Sequence, residues 1–206
     1  MSVTDNAIRC LFGTDELRPS AIIVPISRIY ARLTNELHGK QSSGWYRCFH
    51  TEKATIIKSH PGNSVIDVAY AAGCRSEKII HLGYCGGMGN AKIGDIVIAS
   101  GAAHVSDAKD YIACRRAIDA NAHEIAAVPV LTVNSMLLDE SPENLRGFGA
   151  VDMETYWLFK FSPVPSSSLM VTTDLPGREF FYDVNPEDPR LKRGIDNLAC
   201  LALGML

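Results

Sequence analysis

The chain has 206 residues, 47% of them hydrophobic, and a formal net charge of −3. That profile fits one domain over residues 1–206 with a full buried core. Scattered Lys and Arg on a slightly acidic chain offer nucleic acid or an anionic membrane nothing to bind, and no apolar run approaches the roughly 20 residues of a membrane span.

The N-terminus, "MSVTDNAIRC", lacks the charged-then-apolar order of a signal peptide, so a cytoplasmic protein is expected. Six cysteines (Cys10, Cys48, Cys74, Cys85, Cys114, Cys200) are widely spaced, with no C-x-x-C pair. They are expected to be reduced thiols, with no disulfide framework and no structural metal.

In chain order, "SAIIVPI" (20–26) predicts a buried strand and "SRIYARLTNEL" (27–37) the helix after it. "WYRCFH" and "KATIIKS" predict a hairpin around Thr51-Glu52. "NSVIDVAYAAG" (63–73) predicts a helix with Val65, Val68, Ala69 and Ala72 on one face and Gly73 at its C-terminal cap. "EKIIHLG" and "GDIVIAS" are strands, as are "AAVPVLTV" (126–133) and "SSLMVTT" (167–173). "METYWLFKF" (153–161) places Met153, Trp157, Leu158 and Phe161 on one helical face. "DPRLKRGIDNLACLALGML" closes the chain as a helix with Pro189 near its first turn.

Continuous apolar strands alternating with helices imply an α/β sandwich with a parallel or mixed sheet. Ligands in such folds sit at the C-terminal ends of strands. Four polar or glycine-rich segments meet that description: 25–28, 59–64, 81–87 and 172–178.

Gly83, Gly86, Gly87, Gly89 and Gly94 fall within twelve residues, between two apolar runs. Glycines there permit tight turns, and let backbone approach an anion or a sugar closely. The expectation is a turn around Tyr84 to Gly87 that forms the floor of a ligand site.

Taken together, three segments resemble the nucleoside phosphorylase and nucleosidase superfamily. "GYCGGMGNAKIGDIVI" is similar to the family's G-[ST]-[CA]-G-G turn followed by G-D-[IV]-V-[IV]. "VDMETYWLF" (151–159) is similar to its V-[DE]-M-E segment, and "VTTDLPGR" (171–178) to its strand ending in [ST]-D. The resemblance runs from about residue 20 to 200. It implies a three-layer α/β/α sandwich with a central mixed sheet, a homo-oligomer, a small-molecule nucleoside as ligand, and no cofactor beyond phosphate as a co-substrate.

It also implies roles. Breaking an N-glycosidic bond leaves negative charge on the departing base, which a carboxylic acid at the purine N7 relieves by donating a proton. That residue is Asp174, whose bland alternative is a cap for the "DLPG" turn. Glu154 accepts from the ribose hydroxyls and Met153 packs on the sugar. Asp152 caps the following helix, and Glu154 in the first turn equally suits the helix dipole. Tyr84, Cys85 and Gly86 line the site. Met136 and Leu137, in "VNSMLLDE" (133–140), stand where the family lines its base pocket, although such a run also suits a core.

The phosphate pattern departs from the family. Arg28 is kept in "VPISR" without the loop's glycine. His81 stands where an Arg is expected and Tyr84 where a Ser or Thr is expected. The Glu with which the nucleosidases activate water is also absent from "IIVPISRIY". Arg28, His81 and His60 are therefore the candidates for phosphate or water, and phosphorolysis and hydrolysis both stay open. Arg178, four residues after Asp174, resembles the D-x-x-x-R ending of members that release adenine from metabolites such as adenosylhopane. The rival reading is a non-catalytic relative that binds a nucleoside or a partner subunit.

Overall fold

The sheet takes its shape from two long strands that lie side by side, Lys78–Gly87 (β5) and Ser166–Asp174 (β10). The computed structural model describes residues 4–118, 125–139 and 142–205. Glu140, at the end of the predicted pocket segment, and Leu206, at the end of the predicted last helix, lie outside them.

The remaining strands are Ser20–Val24 (β1), Lys40–Ser43 (β2), Arg47–His50 (β3), Ala54–Lys58 (β4), Ile96–His104 (β6), Asp107–Ala113 (β7), Ala126–Thr132 (β8) and Ala150–Asp152 (β9). All ten join one mixed sheet. On one edge of β5, its first half pairs in parallel with β1 and its last two residues pair antiparallel with β9. β10 runs along the opposite edge, in parallel. From β1 the sheet continues through β4, β3 and β2. From β10 it continues through β6 and β8 to β9 and back to β5, so five strands close into a ring.

Helices cover both faces. Asp5–Phe12 (α1), Val65–Gly73 (α3) and Thr155–Phe161 (α5) pack with Ile23, Ile57 and Ile79 in one apolar cluster. Ser27–Thr34 (α2) and Pro189–Gly204 (α6) pack with Ile22, Ile56 and Leu82 in the other. The result is the expected three-layer α/β/α sandwich. Alternate residues of β1 enter opposite clusters, which explains why "AIIV" is apolar throughout. α6 buries Leu191, Ile195, Leu198, Ala199 and Ala202, the i, i+4, i+7 spacing of an amphipathic helix. Its start is fixed by Pro189 in the first turn and by Asp188, whose carboxylate accepts from the Arg190 N–H at 2.7 Å. Among the described residues no helix is long and apolar enough to cross a membrane.

Three expectations are corrected. Tyr84 to Gly87 is strand, not turn; the reversal comes later, where Gly89 (φ 62°) and Gly94 (φ 90°) adopt left-handed backbone. Gly73 is the last helical residue rather than a left-handed cap, and a side chain there would strike the Pro163 ring at 2.5 Å. The last correction concerns α5, which begins only at Thr155 and buries Tyr156, Leu158 and Phe159. Phe161 is exposed, and Met153 precedes the helix. A four-residue helix, Pro142–Leu145 (α4), precedes β9.

Candidate active site

Sheet register assembles the site. Gly86 in β5 pairs with Asp174 at the end of β10 on one side and with Val151 in β9 on the other. Asp152 follows Val151 and pairs with Thr132 of β8. Residues distant in sequence thus meet where the ring of strands ends. A side chain at Gly86 would lie 2.8 Å from Val151 and 3.0 Å from Asp174 Oδ2, so the glycine leaves room for that carboxyl.

The cleft there has a volume of about 380 Å³. It takes one or two residues from each of the four predicted strand-end segments: Ile26, Pro61, Tyr84 with Cys85, and Thr173 with Asp174. Asp152 and Glu154 complete its polar wall, and Met136, Met153, Phe181 and Val184 add apolar surface.

Asp174 is 1% exposed. Its Oδ1 accepts from the Thr173 hydroxyl at 2.6 Å, whereas Oδ2 is buried with no partner. Burial raises its pKa above the ordinary aspartate value, and the Thr173 hydrogen bond only partly offsets that. A bulge between Thr172 and Asp174 re-aims the strand end.

Glu154 is also buried, and its Oε1 accepts from the Gly62 N–H at 2.5 Å. Gly62 can present that N–H because its φ is 80°. Burial raises the Glu154 pKa, and the neighbouring Asp152 charge raises it further. Asp152 is held differently. Its Oδ2 accepts from the Thr155 N–H at 2.8 Å and from the Thr155 hydroxyl, and its Oδ1 accepts from the Thr132 hydroxyl at 2.7 Å. Capping α5 is therefore its visible role, and both of its oxygens are taken by the protein.

Tyr84 presents a buried hydroxyl without a partner, its pKa pushed up to about 12 by burial. Cys85 lies beside it, with its thiol pKa raised by burial and its Sγ 3.9 Å from the Thr172 hydroxyl. Of the base-pocket pair, Met136 lines the cleft, while Leu137 is 71% exposed.

The candidates for phosphate or water do not line the cleft. His81 is fully buried within the sheet, its Nδ1 2.8 Å from Ser168 Oγ, and burial lowers its pKa to about 3. The reason is alternation along β5: His81 turns its side chain to the face opposite that of Leu82 and Tyr84. Arg28 is exposed, donating to the Pro186 carbonyl and to Glu187. His60 is exposed too, with its ring 5.8 Å from that of Tyr46. Arg178 faces a neighbouring crevice and donates to the Gly89 carbonyl at 2.9 Å. Among the described residues, then, no Lys, Arg or His lines the cleft.

Sequence reasoning reached Ile26, Pro61 and Thr173 only as members of the strand-end segments, and missed Phe181 and Val184. Phe181 had a signal, since three aromatic residues follow directly on the glycine turn in "PGREFFYDV". Thr173 had one too, as a hydroxyl beside the proposed acid.

No family model matches the sequence, and no curated protein matches it significantly. Solved structures do match by shape. Purine nucleoside phosphorylase from Toxoplasma gondii, in complex with immucillin-H, has a TM-score of 0.77 at 15% identity, over 100% of this chain and 96% of that one. Uridine phosphorylase from Vibrio fischeri has a TM-score of 0.73 at 18% identity, over 93% and 92%. A mutant of futalosine hydrolase from Helicobacter pylori has a TM-score of 0.73 at 15% identity, over 91% and 98%. At these identities the likeness is one of architecture, and the chain carries the fold of the nucleoside phosphorylase and nucleosidase superfamily.

Proposed function

We propose that this protein cleaves the N-glycosidic bond of a purine-type nucleoside, and that water rather than phosphate is the second reactant. The observation that carries the reading is a pair of buried carboxyls on one cleft: Asp174, with a free oxygen, and Glu154, set by the Gly62 N–H.

Asp174 is the general acid. Burial favours its protonated form, which lets it donate to N7 as the C1′–N9 electron pair moves onto the base. The sugar is left with oxocarbenium character at C1′, water adds there through its oxygen, and the proton it releases restores the Asp174 carboxyl by way of solvent. Glu154 accepts hydrogen bonds from the ribose hydroxyls, and Met153 packs on the sugar. Tyr84 offers its unpartnered hydroxyl to the same ligand.

Hydrolysis is favoured because a phosphate dianion needs cations or a nest of N–H groups. The cleft has carboxyls instead, while Arg28 is engaged with Glu187 and His81 is neutral behind the strand. A homo-oligomer belongs to the same proposal, and sedimentation of the purified chain tests it.

Product analysis tests the reaction. Phosphorus NMR with inorganic phosphate present is expected to show no sugar phosphate, while free reducing sugar accumulates with the base. A sugar 1-phosphate as the main product would overturn the assignment of water.

A further inference from the structure

His81 is buried too deeply to touch a ligand, yet it is joined to the site by hydrogen bonds. Its Nδ1 lies 2.8 Å from Ser168 Oγ, and its Nε2 is buried without a partner. Ser168 Oγ lies 2.9 Å from Thr155 Oγ1. The Thr155 hydroxyl reaches Asp152 Oδ2, and Asp152 stands two residues before Glu154. All four chain members are at most 2% exposed.

The direction of each hydrogen bond follows from the far end. The Thr155 N–H and the Thr132 hydroxyl already donate to the two Asp152 oxygens and favour its charge, and an ionised Asp152 only accepts, so Thr155 donates its one hydroxyl proton to it. Thr155 Oγ1 is then the acceptor for the Ser168 hydroxyl. With its proton spent, Ser168 must accept from His81, which must therefore carry hydrogen on Nδ1. That leaves Nε2 a bare lone pair, and the structure has no donor beside it. Neutral imidazole supplies one donor and no more, which matches a ring whose charged form burial suppresses.

We propose that His81, Ser168 and Thr155 form a one-way donor chain that keeps Asp152 ionised, so that the proton shared by the Asp152–Glu154 pair resides on Glu154 while the cleft is empty. Burial raises the pKa of Asp152 as well, and three donors oppose that by favouring its charge: the Thr155 hydroxyl, the Thr155 N–H and the Thr132 hydroxyl. Glu154 has the Gly62 N–H and lies beside a like charge. The other titratable groups facing it across the cleft are Asp174 on β10 and Tyr84 and Cys85 on β5, none of them cationic. Asp152 is thus a positioning residue that acts through Glu154, and its consequence for ribose binding rests on the function proposed above.

Nitrogen-15 NMR of the ligand-free protein reads the chain directly. The expected result is a neutral His81 with its proton on Nδ1; an Nε2–H tautomer or a charged ring near neutral pH would overturn the proposal. Carboxyl carbon-13 titration reads the far end. Glu154 is expected to titrate above the ordinary glutamate range, and Asp152→Asn to lower its midpoint by about one pH unit or more. Ser168→Ala should lower it by less, because a less solvated Asp152 takes a share of the proton. A Glu154 midpoint unmoved in Asp152→Asn would overturn the proposal; if that variant does not fold, Ser168→Ala and the His81 tautomer decide it. No nucleoside is used, so a failure to cleave nucleosides counts against the proposed function alone.

Discussion

Two sets of polar residues were expected at one ligand site, and the structure treats them oppositely. Asp174, Glu154 and Asp152 converge on the cleft, whereas Arg28, His81 and His60 do not. The carboxyls sit on short side chains at strand ends, where pairing of Gly86 with Asp174 and Val151 fixes their positions. Arg28 has a long, exposed side chain that a nearby Glu187 can claim, and His81 sits mid-strand, where alternation decides its face. Backbone register placed the first set. Strand alternation turned His81 away, and a competing carboxylate took Arg28.

The largest effect is expected at Asp174. Asp174→Asn should lower turnover roughly 10²–10⁴-fold, the usual worth of a general acid, with nucleoside affinity nearly unchanged by titration calorimetry. Equal turnover in the variant would remove Asp174 as the acid, and no base release from wild type would favour the non-catalytic reading.

Glu154→Gln follows. If Glu154 releases its proton as the ribose binds, the variant loses an acceptor of charge-assisted hydrogen bonds, which should cost about 1.5–3 kcal/mol, or roughly 10–150-fold in kcat/KM. Wild type should discriminate against 2′-deoxynucleosides, and the variant should do so far less. Equal discrimination in both would remove Glu154 from ribose binding.

The pH dependence of stability sharpens the contrast between buried carboxyls and exposed ion pairs. The pKa values of Glu154 and Asp174 are raised in the folded state. The folded protein therefore holds protons that the unfolded chain releases above about pH 4, and ∂ΔG/∂pH is negative in that window. Their contribution is complete below the unfolded values and is lost as pH rises through the raised ones. Thermal melts should show Glu154→Gln gaining on wild type by a few degrees between pH 5 and 8, since ~1 kcal/mol moves Tm by about 2–4 °C in a domain of this size.

The smallest effect belongs to Arg28. An exposed ion pair is worth about 0–1 kcal/mol, so Arg28→Ala should change kcat/KM by less than about fivefold and leave phosphate without influence. A loss near 10³-fold that appears only with phosphate would return Arg28 to the site.

The sequence made the buried elements visible and hid the edges. β1, β4, β5, β8 and β10 announced themselves as apolar runs, and α3 and α6 as periodic ones. β2, "KQSS", and β7, "DAKDYIA", carry no such signal because their side chains are mostly exposed. Backbone pairing to β3 and β6 holds them in place. The places of Asp174 and Glu154 on the cleft were legible because Asp174 ends β10 in register with Gly86 and Glu154 follows closely on the short strand β9. Facing and competition, which moved His81 and Arg28 elsewhere, are not written in a motif. Nor are Ile26 and Phe181, apolar wall residues that resemble any other core-bound side chain.

Glycosidic cleavage by water is tested by base release, followed by chromatography, from a panel of adenosine, inosine, guanosine, uridine, methylthioadenosine and 5′-deoxyadenosine in phosphate-free buffer. It predicts free base from at least one purine nucleoside, at a rate that added phosphate leaves unchanged. Release confined to uridine, release only with phosphate, or no release from a panel member that the protein demonstrably binds would contradict it.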